Sequence, residues 1–422
     1  TSFANALPLD TASGAAAAYS LRNLSSSYTG SVVEVRRSSD GALRSFTAAE
    51  VTHNTLVAWV TAETLLYTSN FSTSNTDGWS SANCTIVSNI DKDSDGAGQP
   101  PSDNWLRISA NDRISIRDND PLMADIRPLG GGTYKIDVDY YAPVSVSGHR
   151  AIAFTSSGNI QSGAVNFSAG SGTKTYVLAL TDAQVSGLTD LRIGSTQNYA
   201  TGTLLYLKNI RVRKTDANGT VSKWYDQSGN DKHATQGTPA SQPKIVDAGY
   251  FIHTGIMPDG QLSPPVLQFD GANDFFETSL VPPNVATLIG VANWDVINAT
   301  GMITGARDEV SKRSYLSQVS TGYTALGVSD SAIAGPSVVV GDNYLLYGSY
   351  SGSTRSLSTN GVLLTDESGT VPNNTTQSYH IGAFNDRGTS SGFMNGKIQE
   401  VIIYASDQSD KRRAIEENIG ST

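Results

Sequence analysis

Ser31-Val32-Val33-Glu34-Val35-Arg36-Arg37 interleaves β-branched residues with polar and charged ones. Side chains of such a run stand on alternate faces of a β-strand. Asp40-Gly41 follows and supplies a turn. Working outward, strand-like segments recur at 105–109, 113–117, 133–141, 150–154, 174–180, 191–193 and 204–213. They return at 266–269, 275–278, 286–292, 344–350, 355–359, 380–383 and 397–404, with Asn360-Gly361 as a hairpin signal. Many short strands with regular turn punctuation specify an all-β chain of sandwich or jelly-roll type. Two helices are expected against this background. Thr47 stands three residues before Glu50, the spacing of a capping box. Residues 407–418 form an amphipathic C-terminal segment between Ser406/Asp407 and Gly420. Residues 1–18 include the tract Ala15-Ala16-Ala17-Ala18 and read as a loose N-terminal arm.

Composition narrows the class. A chain of 422 residues has room for two or three domains. Only 16% of residues are charged and 40 are glycine, which suits strands joined by tight turns. The net charge is −10, with no basic run of five or more, so nucleic acid and anionic membrane surfaces are disfavoured as partners. No run of 18 apolar residues exists to cross a membrane as a helix, and no charged segment followed by an apolar core opens the chain as a signal peptide would. The single cysteine, Cys84, excludes an internal disulfide or a four-thiolate zinc site. It reads as a small buried hydrophobe on a strand, in a protein made in a reducing compartment.

Texture changes near residue 66 and again after Thr215-Asp216-Ala217-Asn218-Gly219. Residues 66–214 thus read as one β-domain inserted into another, formed by 19–65 and 215–422. Tyr19-Ser20-Leu21-Arg22, the 33–41 stretch and Trp224-Tyr225-Asp226-Gln227-Ser228-Gly229-Asn230 resemble parts of the arabinofuranosidase-B-type catalytic fold. Leu267-Gln268-Phe269-Asp270-Gly271-Ala272-Asn273-Asp274-Phe275 and the 395–404 stretch resemble laminin-G and concanavalin-A-like lectin domains. The closing Ile398-Gln399-Glu400-Val401-Ile402-Ile403-Tyr404-Ala405-Ser406-Asp407-Gln408-Ser409 is similar to those of tailed-phage virion proteins. The opening of the inserted domain, Phe71 to Trp79, resembles carbohydrate-binding modules. These resemblances imply a concanavalin-A-like β-sandwich carrying an inserted jelly roll. They also imply a non-enzymatic virion surface protein: capsid decoration, fibre or tail-associated adhesin. Its partners would be other virion proteins, further copies of itself and cell-surface glycans. A glycoside hydrolase and a secreted bacterial adhesin are the alternatives.

Three chemistries can be weighed on particular residues. A retaining glycosidase needs two close carboxyl groups. The arabinofuranosidase resemblance would put its nucleophilic Glu where Gly392-Phe393-Met394-Asn395-Gly396 has Asn395. An amide does not form the glycosyl ester by that route, so no catalysis is expected. Asp226, Asp270, Asp274 and Asp386 are the loop carboxylates left, with turn formation as their simplest use. None of the five histidines pairs at i, i+4. Asp91-Lys92-Asp93-Ser94-Asp95-Gly96 has calcium-loop spacing, with Asp103 near the position of a further ligand. Such a Ca2+ would be structural, and a solvated acidic loop is the other reading. For glycans, ring stacking calls for exposed aromatics. Trp79, Trp105, Tyr140 and Tyr141 are the candidates in the inserted domain, and Trp294, Tyr323 and Tyr315 in the lectin-like one. On a strand, Tyr140 and Tyr141 must face opposite sides.

Overall fold

The computed structural model describes residues 6–62, 64–69, 79–81, 105–109, 113–117, 121–195, 203–215, 217–255, 261–297, 300–309, 311–366 and 375–420. Strands dominate and helices are few and short, so the chain is all-β with a C-terminal helix, Arg412–Gly420. No helix among the described residues is long and apolar enough to cross a membrane. The chain divides into two units: Thr1–Arg37, Leu43–Val60 and Asn218–Thr422 form one, and Ser38–Ala42 with Thr61–Ala217 form the other.

In the first unit the strand Asn395–Tyr404 lies between Ala286–Trp294 on one side and Ala15–Ser20 with Leu267–Asp270 on the other, all antiparallel. Ala286–Trp294 continues to Asn343–Ser351, Thr354–Thr359 and Val362–Asp366. A second run of strands passes from Gly301–Glu309 through Lys312–Gln318 and Tyr323–Val328 to Ser331–Ser337. Alternation explains the layering. Val401 and Ile403 join Leu288, Leu316 and Leu326 in the central core. Ile402 and Tyr404 face the other way and meet Ile415 and Ile419 of the C-terminal helix, together with Leu9, Ala12, Ala15 and Ala18. The central strand is therefore buried on both faces, which is why 398–404 reads as a nearly continuous apolar run.

Residues 6–18 are not a loose arm. Pro8–Thr11 is a helical turn with Leu9 buried, and Ala17 and Ala18 are wholly enclosed in a strand. Alanine is what fits there, because a larger side chain would have to displace the core on either face. The expected capping box forms: the Glu50 N–H donates to Thr47 Oγ1 at 3.3 Å and the Thr47 N–H to Glu50 Oε2 at 2.9 Å. Asn360 and Gly361 both take positive φ, 50° and 82°, between two paired strands, as a type I′ hairpin requires.

The second unit contains two sheets of its own. One is built on Gly132–Ala142, Gly170–Leu180 and Leu204–Lys214, the other on Val146–Thr155, Leu188–Ser195 and Arg113–Arg117. Tyr134, Ile136, Val138 and Tyr140 point inward to one core. The intervening Asp137 and Asp139 point outward and pair with Arg213 and Arg211. Trp79, proposed above as a sugar platform, is buried in this core.

Candidate functional site

The Trp224-to-Asn230 stretch is a clamp on the first strand. Asp226 accepts the N–H of Ala18 at 2.8 Å, of Ser228 at 2.9 Å and of Lys232 at 3.0 Å, and the Ser228 hydroxyl at 2.8 Å. Gln227 accepts the Leu24 N–H at 2.9 Å and donates to the Ser20 and Arg22 carbonyls at 3.0 and 2.9 Å. Asn230 donates to the Ala15 carbonyl at 2.9 Å. The Asp226, Gln227 and Asn230 side chains thus bind the chain itself, so the turn reading of Asp226 extends to a tertiary one.

The Asp270 loop is likewise internally committed. One Asp270 oxygen accepts the N–H groups of Ala272, Asn273 and Asp274 at 2.8–3.3 Å, and Asp274 accepts the Asp270 N–H at 3.0 Å. Asn395 stands opposite Asp270 across the strand pair. Burial, followed by repulsion from Asp270, pushes the Asp274 carboxyl up to about 7 from an ordinary 3.8. A raised acid favours the fold while protonated, and that contribution is lost as pH rises between these two values. Asp274→Asn removes the titration and keeps an oxygen for the Asp270 N–H. It is expected to gain about 1–3 kcal/mol over the parent at pH 8 and almost nothing at pH 4. Thermal melts of both proteins across this range check it, and a gain independent of pH would reject the assignment.

One hollow able to receive a ligand is bordered by the Gly301–Glu309 and Lys312–Gln318 strands. It is a pocket of about 310 Å³ lined by Thr300, Met302, Arg307, Arg313, Tyr315, Val319, Phe384, Ser391 and Gly392. Two glycines make room for its aromatic residues. Tyr315 is registered against Gly305 on one neighbour and Gly327 on the other. A Cβ on Gly327 would lie 2.0 Å from the Tyr315 ring, and one on Gly305 would lie 2.6 Å from the Phe384 ring. Side chains are missing on both sides of Tyr315 so that its ring can lie down along the sheet, 5.5 Å from Phe384 in edge contact. The Tyr315 hydroxyl makes no hydrogen bond within the protein among the described residues. Burial pushes its ionisation upward, so it stays a neutral donor and acceptor.

Guanidinium groups form the rim. Arg307 pairs with Asp386 and lies 5.1 Å from the Phe384 ring centre. Arg313 donates from Nε to the Ser329 carbonyl at 2.7 Å and lies 5.4 Å from the Tyr315 ring. Asp386 is also held by Arg387 at 3.1 Å, and the Arg307 bond keeps its carboxyl below the ordinary carboxylate range. A second hollow, about 480 Å³, is lined by Phe251, Leu262, Pro264, Pro265 and Arg22, among others. Its charged and ring nitrogen groups are already engaged, Arg22 with Glu400 and His253 with the Ser263 carbonyl.

Of the aromatics named from sequence, Tyr315 lines the first pocket, but its ring is only 6% exposed and packs with Phe384, Met302 and Ala325 in a small core cluster, so it is a pocket wall and not an open stacking platform. Tyr323 is 44% exposed on the neighbouring strand. Trp294 is buried instead, its ring 5.9 Å from that of Tyr344 and its Nε1 donating to the Gly301 carbonyl. Trp105 and Trp79 are buried as well, so these three tryptophans are core residues and not platforms. Tyr140 faces the core, and Tyr141 is half-buried on the opposite face beside Tyr206. Asp91, Asp93, Asp95, Asp103 and Cys84 lie outside the described residues. Among the described residues no group of three or more His, Cys, Asp or Glu could hold a metal ion. Arg307, Arg313 and Phe384 were not anticipated. The isolated glycines 305 and 327, each inside a strand, were the available signal.

No family model and no curated protein sequence matches the chain. Among solved structures, the CBM22-1–CBM22-2 tandem domain of Xyn10C from Paenibacillus barcinonensis is 12% identical. It overlaps 81% of this chain and 98% of its own, at a TM-score of 0.29. The CBM40 of Ruminococcus gnavus IT-sialidase bound to α2,3-sialyllactose is 14% identical, over 32% of this chain and 82% of its own, at 0.28. A sialidase mutant of Trypanosoma rangeli with trans-sialidase activity is 15% identical over 47% of this chain, which spans 31% of that enzyme, at 0.34. Overlaps this shallow assign no role to any residue.

Proposed function

We propose that this chain is a non-catalytic glycan-binding protein, that the Tyr315 pocket holds the sugar, and that the protein serves on the surface of a virus particle. The observation that carries the binding reading is the pocket: two aromatic rings, a free tyrosine hydroxyl and planar donors around a hollow at the small end of ligand-site volumes. A sugar presents C–H groups and hydroxyls; the pocket meets the first with the parts of Met302, Val319, Tyr315 and Phe384 that line it, and the second with the Tyr315 hydroxyl and the guanidinium donors. The lack of turnover is inferred from the carboxylates. Asn395 replaces the expected nucleophile, Asp226 accepts three backbone N–H groups, and one oxygen of Asp270 accepts three more. The virion setting rests on the resemblance of residues 398–409, and other virion proteins and further copies of the chain are the partners it implies.

The test is a glycan array probed with the full chain, with calcium and then with chelator. Tyr315→Ala is expected to weaken the bound signal about tenfold or more, and Tyr315→Phe by only a few-fold, since the ring stays and one hydrogen bond goes. Loss of signal on chelation would tie binding to the 91–96 motif. An unchanged signal in Tyr315→Ala, with its fold intact by circular dichroism, would refute the site. Recovery of the chain from a host secretome, and not from purified particles, would refute the virion setting.

A further inference from the structure

The rim of the Tyr315 pocket is one-sided in charge. Arg307 and Arg313 stand directly opposite each other on adjacent antiparallel strands. Like charges in that position repel, and a fold tolerates them where something negative intervenes. Asp386 does so for Arg307, but it is also shared with Arg387. Arg313 makes no ion pair among the described residues, its only side-chain hydrogen bond being the one to the Ser329 carbonyl. This leaves uncompensated positive charge at a hollow in a protein whose net charge is −10.

The geometry of Arg313 adds direction to the charge. Its carbonyl accepts the Ser329 N–H at 3.0 Å while its Nε donates back to the Ser329 carbonyl at 2.7 Å. Both ends of the residue are tied to one neighbour, so the guanidinium is held before any ligand arrives. With Nε used, the two terminal nitrogens remain as a pair of donors. A paired edge of this kind matches the two oxygens of a carboxylate, which a lysine cannot do. Taking the glycan reading of this pocket as its basis, we infer that the ligand is an acidic glycan whose sugar carboxylate lies on Arg313, beside the Tyr315 hydroxyl.

Calorimetric titration of the full chain separates the possibilities. Three probes are used: a hexuronate oligosaccharide, the same oligosaccharide with its carboxyls reduced to alcohols, and sialyllactose. An acidic probe is expected to bind about tenfold or more tightly than the reduced one, with the advantage shrinking as salt is added. The two acidic probes distinguish a uronic from a nonulosonic acid. Arg313→Gln is expected to erase the preference, weakening the acidic probes about tenfold or more and the reduced probe by only a few-fold. Arg313→Lys, which keeps charge without the paired edge, is expected to recover less than half of it. Equal binding of acidic and reduced probes overturns the carboxylate assignment and leaves the glycan reading standing. Binding of none overturns both. A preference that survives in Arg313→Gln overturns the placement.

Discussion

Replacing Asp226 with alanine is expected to destabilise the unit that contains it by about 3–5 kcal/mol, with the strand Ala15–Ser20 released first. The carboxylate is 2% exposed and receives four hydrogen bonds, three from backbone N–H groups. Hydrogen bonds to a charged acceptor contribute about 1.5–3 kcal/mol each, and four on one group share their effect and do not simply add. The alanine variant leaves the Ala18 and Lys232 N–H groups without that acceptor. Ala18 belongs to the strand that borders Asn395–Tyr404, so the loss is passed to the most enclosed strand of the unit. Asp226→Asn separates charge from shape. Its amide nitrogen would meet a donor, either the Ala18 or the Lys232 N–H, so roughly half of the loss is expected to remain. Urea unfolding gives the magnitude, and amide exchange of the peptide covering residues 15–20 gives the location. An Asp226→Ala protein that unfolds within about 1 kcal/mol of the parent, with this peptide still protected, would falsify the clamp.

That clamp also marks how far sequence could be read. The turn chemistry of Asp226 was legible, because an Asp two residues before a Ser-Gly pair bonds its own backbone. Its second role was not, since Ala18 lies 208 residues away in the chain. The same distance hid the fate of residues 6–18. An alanine tract has no alternation to read, and its burial is set by what packs on both faces: Leu24, Tyr347 and Ile415 share a cluster with Ala15 and Ala18, and Ala17 belongs to the central core. Local signals fared better: Thr47 with Glu50 and Asn360-Gly361 each specify geometry within four residues, and both form as expected. Tryptophan was the poorest guide. Trp79, Trp105 and Trp294 look like platforms by residue type, but a large ring stabilises most where it leaves water completely. The pocket needed register. Tyr315 was visible as a candidate, yet Arg307 and Phe384 reach it only because Gly305 aligns with both Tyr315 and Phe384 across two strand pairs.

Register also places the buried ion pair, where the second large effect is expected. Glu400, 1% exposed, sits on the central strand opposite Ser20 and receives Arg22 on both oxygens, from Nε at 3.0 Å and from a terminal nitrogen at 3.3 Å. Burial raises its carboxyl above the ordinary range, and Arg22 pulls it back. Arg22→Met removes the pull and leaves the burial, so it is expected to cost about 3–5 kcal/mol at pH 8. The sign with pH follows from the direction of the shift. A Glu whose folded pKa is raised favours the fold below its unfolded value near 4.5, and loses that contribution as pH climbs through the folded value. The deficit of Arg22→Met should therefore shrink on going from pH 8 to pH 5. The double variant Arg22→Met with Glu400→Leu leaves no charge to bury and is expected to return to within about 1 kcal/mol of the parent. Melting curves of the three proteins at the two pH values decide it. If the single variant is equally destabilised at both, the loss lies in the packing of the arginine stem and not in the abandoned charge.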